Sequence, residues 1–161
     1  MVPPGRNDFA DMATMRADAN VMRWVGGAPA THEESWTRLL QMAGTWALLD
    51  YGFWIMRRAD TGAFVGNVGF LDGHRDGVVG FGDDPEIGWG LTAAMHGQGF
   101  ATEAVLAALD WGRGRFARTV AMIDPRNTPS EAVARRCGFT WFAASQYKDA
   151  PTGLWEYRYP A

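Results

Sequence analysis

The run Glu86-Ile-Gly-Trp-Gly-Leu91, then Thr92-Ala-Ala-Met95, then His96-Gly-Gln-Gly-Phe-Ala-Thr-Glu-Ala104 decides the fold. Ile87, Trp89 and Leu91 alternate with Gly88 and Gly90, the period of a strand whose glycine face permits close approach. From Ala101 the period changes. Ala101, Ala104, Val105, Ala108, Leu109 and Gly112 share one helical stripe, with Glu103 and Asp110 off it. A strand that enters a helix through a Gly-x-Gly turn aims several backbone N–H groups at one spot. Those donors, together with the positive end of the helix dipole, suit an anion and in particular a pyrophosphate.

Spacing alone leaves alternatives. Gly97 and Gly99 supply the first half of a Gly-x-Gly-x-x-Gly fingerprint, but position 102 is Thr. No acidic residue follows a second strand at the expected distance, which argues against a dinucleotide site. Lys148 is the only lysine, so there is no Walker A motif. A loop with ordinary helix-start glycines, or a nucleotide-binding domain using the same helix start, fits the same residues.

His96-Gly-Gln-Gly-Phe-Ala101 resembles the acyl-CoA-binding motif of the GNAT superfamily of N-acetyltransferases, Gln/Arg-x-x-Gly-x-Gly/Ala. Glu86-Ile-Gly-Trp followed by Gly-Gln-Gly-Phe-Ala-Thr-Glu-Ala resembles the branch that acetylates ribosomal-protein N-termini. Asp124-Pro-Arg-Asn-Thr-Pro-Ser130 and Arg136-Cys-Gly-Phe139 are similar to that branch's Asn-x-x-Ser and Leu-Gly-Phe elements, and Val21-Met-Arg-Trp-Val-Gly-Gly27 to its first helical region. Two features depart from the pattern. His96 replaces the usual Gln or Arg, and Met1-Val-Pro-Pro-Gly-Arg6 stands where a first strand ending in Leu-Arg-Pro is expected, so that strand is missing or vestigial.

The resemblance implies an α/β fold over residues 1–161 as one domain. Its central sheet would be mixed and mostly antiparallel, with a splayed parallel pair of strands and helices on both faces. It implies an N-acetyltransferase that moves an acetyl group from acetyl-CoA to a primary amine, either a protein N-terminus or a small molecule. The cosubstrate would lie against Trp89, Gly90, Leu91 and His96, with its pyrophosphate on the amides of Gly97, Gln98, Gly99, Phe100, Ala101 and Thr102. Asn127 and Ser130 would line the pantetheine and thiolate side. A backbone N–H near Trp89 to Leu91 would polarise the thioester carbonyl. Glu86 would be the base and Ser130 the acid that protonates the leaving thiolate. Against these stand plainer roles: Glu86 as a carboxylate in a salt bridge or on a cationic acceptor, and Ser130 as a hydroxyl bonding a local amide. Tyr147, Tyr157 and Tyr159 are further acid candidates. The first helices would wall the acceptor site, with Trp24, Trp46 and the 72–85 loop forming an aromatic, partly acidic rim. A CoA-binding module without catalysis, acting as sensor or assembly partner, is the alternative from a different class. The family also admits a homodimer.

Composition sets outer bounds. A chain of 161 residues, 47% apolar and 20% charged, fits one globular domain with a real core. A net charge of −3 argues against a nucleic-acid partner and mildly favours cationic ones. A single cysteine gives neither a disulfide framework nor a metal cluster and suits a reducing cytoplasm. His32, His74 and His96 show no ligand spacing, so no metal is expected. No signal-peptide pattern or membrane-length apolar run is present, so no membrane partner is expected.

Along the chain, Phe9, Met12, Met15 and Met22 predict a helix from about Asn7 to Ala19, broken by Gly26-Gly27. Thr31-His-Glu-Glu34 is a capping box. The helix behind it carries Trp36, Leu39, Leu40 and Ala43 and is expected to end at Gly44. Strands are expected at 51–57 and 63–71, joined by Asp60-Thr61-Gly62. Residues 72–85 hold four glycines and four aspartates and predict a solvated connector or a flap. Arg118–Ile123 predicts a strand parallel to the central one. Thr128-Pro-Ser-Glu131 is a second capping box, with Pro129 at the first helical position and Gly138 as terminator. Residues 140–147 and 154–159 predict two closing strands, and Cys137 a small core residue.

Overall fold

The computed structural model describes residues 1–78 and 80–160; position 79, within the expected 72–85 loop, and position 161 lie outside the described residues. Three helices come first: α1 (Phe9–Ala17), α2 (Ala19–Val25) and α3 (His32–Leu49). The strands β1 (Phe53–Arg57), β2 (Phe64–Leu71) and β3 (Glu86–Leu91) lead into α4 (Phe100–Gly112). Then come β4 (Arg118–Ile123), α5 (Thr128–Arg136), β5 (Thr140–Tyr147) and β6 (Ala150–Arg158). One sheet runs in the order β1-β2-β3-β4-β6-β5, and only β3 and β4 are parallel. The fold is therefore the α/β arrangement expected.

Strand alternation sends residues to opposite faces. Phe53 and Ile55 pack under Met12, Met15, Val21, Leu39 and Met42 of α1–α3. Trp54 and Met56 face the main core, with Val105, Ala108 and Leu109 of α4 and Val133 and Ala134 of α5. Beyond β3, the face that α1–α3 cover is taken over by the 72–85 loop. Its Phe81 is buried on Val120 and Leu154, and Arg118 holds it by donating to the Gly80 carbonyl at 2.9 Å and pairing with Asp84 at 3.0 Å. That anchoring corrects the expectation of a solvated connector.

Other boundaries move for local reasons. The first predicted helix splits at Asp18, whose extended backbone and side chain, accepting from Asn20 N–H, start α2 instead. Gly44 does not end α3, which runs on to Leu49 and stops at Asp50 in a left-handed turn (φ 58°). Leu40 is 53% exposed, and the buried stripe is Ser35, Leu39 and Met42. Asn127, not Thr128, caps α5, because its Oδ1 accepts from Ser130 N–H at 3.3 Å. β6 begins at Ala150 because Lys148 and Asp149, with φ of 49° and 62°, form a two-residue turn of the primed type. In place of a first strand, Val2 makes one antiparallel bridge with Ile55.

Cys137 is 3% exposed, and burial pushes its thiol up to about 11 against the opposing charge of Arg136. The thiolate is the reactive form, so it gains population only as pH climbs toward that value. The native protein should resist a charged thiol reagent at pH 8 and label only when denatured. Stoichiometric native labelling within minutes would contradict this burial.

Candidate active site

β3 and β4 pair only through Glu86 and Val120 and then splay apart. Thr92 N–H donates to the Val65 carbonyl, so amides two and four residues earlier, at Gly90 and Gly88, also face β2. Those of Trp89 and Leu91 face the opening. On the cross-strand register Glu86, Gly88 and Gly90 share the face that looks toward α1–α3. The two glycines keep that floor low, with only Phe53 (3.2 Å), Asn67 and Val25 (3.8 Å each) near an added Cβ.

At the far end of β3 the chain turns through Gly97 and Gly99, both left-handed at φ 73° and 86°. Glycine adopts this geometry at little cost, whereas other residues are strained by it. No backbone N–H from Gly97 to Thr102 is engaged among the described residues; the first internal bond of the helix start is Glu103 N–H to Gly99 O at 3.1 Å. A Cβ at either glycine would meet open space. Free donors at an open helix N-terminus are the kind of group that receives an anion. The side chains around them turn inward on their own loop. His96 Nε2 lies 3.1 Å from Leu91 O, and Gln98 donates to Ala94 O at 2.8 Å.

A cavity of about 740 Å³ lies at the seam between α1–α2, the splayed strands and the β5–β6 turn. Of the residues singled out in the sequence, Glu86, Trp89, Gly90, Asn127 and Ser130 line it, whereas Leu91 and residues 96–102 do not. Asn127 Oδ1 takes the Ser130 backbone N–H, and the Ser130 hydroxyl has no hydrogen-bond partner among the described residues. Glu86 is 7% exposed and held by the Nε and Nη2 donors along one edge of the Arg75 guanidinium, at 2.7 and 3.0 Å. Arg75 also donates to Tyr147 Oη at 2.9 Å. Burial tends to neutralise that guanidinium, but Glu86 and Tyr147 outweigh it and hold the proton more firmly than usual. Tyr147 is thus the one of the three candidate tyrosines that lines the cavity; Tyr157 and Tyr159 pack against the main core.

The expected acidic, aromatic rim is corrected in two respects. Trp46 belongs to the core, donating Nε1–H to Phe53 O at 2.8 Å and meeting Trp54 edge to face. Trp24 does line the cavity, with Arg23 over its ring at 4.8 Å. The lining charges are mainly basic: Arg16, Arg23, Arg38, Arg75, Arg126 and Lys148 against Glu86 and Asp124. Arg16, Arg38 and Arg75 had escaped the sequence reading. Arg16 does fall four residues after Met12, and Arg38 four before Met42, so both ride beside buried stripes. Among the described residues no cluster of His, Cys, Asp and Glu could hold a metal, and no helix is long and apolar enough to cross a membrane.

Residues 1–140 match the family model for the acetyltransferase (GNAT) domain. YkkB of Bacillus subtilis is 30% identical over 105 residues, covering 64% of this chain and 59% of that protein, so the match spans under two thirds of the relative's length. A Bordetella pertussis structure described as a putative GNAT-family acetyltransferase superposes with a TM-score of 0.83 at 28% identity, covering 96% of this chain and 92% of that one. RimL, a ribosomal alpha-N-protein acetyltransferase solved with coenzyme A, gives 0.79 at 15% identity, over 98% and 92% of the two chains. At that identity it speaks for the fold alone.

Proposed function

We propose that this chain, which belongs to the GNAT acetyltransferase family, transfers an acetyl group from acetyl-CoA to a primary amine. The observation that carries this reading is the run of unengaged amides from Gly97 to Thr102, standing at the end of a splayed strand pair that opens onto the cavity. Acetyl-CoA brings an activated thioester, and a structure of RimL with coenzyme A in the same fold supports the choice of ligand. The chain's own part is positioning, which supplies much of the rate for so reactive an acyl group. The N–H of Trp89 or Leu91, unpaired at the opening, donates toward the carbonyl oxygen as negative charge grows there. Asn127 and Ser130 flank the sulfur side, where the Ser130 hydroxyl is free to donate a proton. Glu86, facing the cavity, takes the proton of the attacking ammonium through water. Two hydrogen bonds from Arg75 leave further acceptor positions on its carboxylate.

The test is calorimetric titration of acetyl-CoA, followed by thiol release over a panel of amines. We expect binding with release. The Glu86→Gln variant should lose about 10²-fold in turnover, and Ser130→Ala roughly tenfold, while both keep acetyl-CoA affinity within about twofold. Binding with no release from any amine would move the reading to a non-catalytic CoA sensor. Loss of affinity in step with turnover would remove Glu86 from the base role.

A further inference from the structure

Arg16 of α1, Arg38 of α3 and Arg75 of the 72–85 loop line one cavity with Glu86, and Arg38 lies close enough to Arg16, Arg75 and Glu86 to feel the charge of each. Arg75 satisfies that carboxylate with a bidentate pair, so the cluster keeps two further positive charges. Neither Arg16 nor Arg38 has a carboxylate within ion-pair distance among the described residues. The buried Nε–H of Arg16 has no hydrogen-bond partner. Glu34, whose charge Arg16 feels, is committed to its helix cap, accepting Thr31 N–H at 2.7 Å. Arg38 rests over the Phe53 ring at 5.2 Å, a cation–π contact that engages its face but leaves its N–H donors without a carboxylate partner among the described residues. Burial lowers the proton affinity of both groups, and for Arg38 the like charges of Arg16 and Arg75 lower it further. Two partly buried guanidinium groups side by side repel each other, and an anion seated between them would relieve that repulsion. Met12, Met15 and Phe53 beside them give that seat an apolar wall.

We infer that the acceptor amine carries an acidic group, a carboxylate or a phosphate, which Arg16 and Arg38 receive while its amine lies at Glu86. The phosphates of the cosubstrate do not account for the pair. Their proposed cradle at Gly97 to Thr102 lies past the far end of β3, and the five steps from Glu86 to Leu91 alone span roughly 17 Å at the rise of an extended chain. A fork of guanidinium donors matches both acids, and both bind with charge-assisted hydrogen bonds. Polyamines, which would add positive charge to this wall, are disfavoured.

The identity of the amine rests on the acetyl-transfer reading; the acid site does not, and the experiment separates the two. Thiol release is measured for phenylalanine against phenylalaninamide and for O-phosphoethanolamine against ethanolamine, and each acid is also titrated calorimetrically without acetyl-CoA. In at least one pair the acid member should exceed its neutral partner about tenfold or more in kcat/KM, and which pair does so identifies carboxylate or phosphate. Arg38→Gln and Arg16→Gln should each collapse that ratio toward one. Their melting temperatures should hold or rise, since each removes one of two neighbouring like charges. Heat on titrating an acid without thiol release from any amine would keep the acid site and sink the transferase. Release that is indifferent to the acid in both pairs would keep the transferase and sink the acid site. No heat with either acid at millimolar concentration, or ratios untouched in both variants, would also overturn it.

Discussion

A Gly99→Asp variant is expected to lose about 100-fold or more in CoA affinity while keeping its circular dichroism spectrum and most of its thermal stability. Two effects act in the same direction. Gly99 holds a left-handed φ of 86° at the cap of α4, which any side chain strains by about 1–2 kcal/mol. The new carboxylate would also compete for the amides proposed to hold the pyrophosphate and repel its charge. A Cβ at this position meets nothing within 4 Å, so its attachment gives the fold no packing reason to fail. Gly99→Ala isolates the backbone part and should lose far less. Calorimetry with free CoA checks both. Wild-type affinity in the aspartate variant would remove the 97–102 turn from the binding site.

The largest loss of stability should come from Gly69→Val in the middle of β2. A Cβ there would stand 2.3 Å from both the carbonyl oxygen of Gly52 and the Cα of Phe53. Both are backbone atoms of the chain entering β1, which cannot swing aside as a flexible side chain would. Relief must come from parting β1 and β2, where Phe53 pairs with Gly69. Overpacking of this kind costs about 3 kcal/mol or more. In a domain of this size each kcal/mol moves Tm by roughly 2–4 °C, so a fall near 10 °C is expected by thermal melt. Gly44→Ala is the counter-case, since Gly44 lies inside α3 with nothing within 4 Å. Filling it should raise stability by about 0.5–1 kcal/mol. Equal effects of opposite expectation would mean that the strand contact relaxes at little cost.

The sequence makes some of this legible and hides the rest for physical reasons. β3 and α4 are plain because their periods differ sharply and a Gly-x-Gly turn stands between them; the structure places β3 at Glu86–Leu91, as read. Cys137 in the core was legible from its neighbours alone. Helix ends were less so. Gly44 carries the low helix propensity of glycine, but packing on either side of it carries α3 through. At α5 two residues could cap, and the choice of Asn127 over Thr128 depends on backbone angles that a motif does not contain. The basic cavity wall was hidden for a different reason. Overall charge is −3, and the arginines that meet there come from positions 16, 38 and 75, brought together only by folding. Net charge describes the whole surface, whereas an acceptor meets one concave part of it.

The single parallel bridge between Glu86 and Val120 also bears on how the chain folds and yields. On either side of it lie two triplets of antiparallel strands, β1-β2-β3 and β4-β6-β5, each built around one local hairpin, β1-β2 and β5-β6, with the third strand added from farther along the chain. Hairpins close early because their loops are short, whereas a bridge across 34 residues must await the α4 crossover. The triplets are therefore natural cooperative units, knitted together afterwards by side chains of α4 and α5 more than by a ladder. A seam of that kind slides under load before any hydrogen-bonded edge tears, and local opening is cheapest along it.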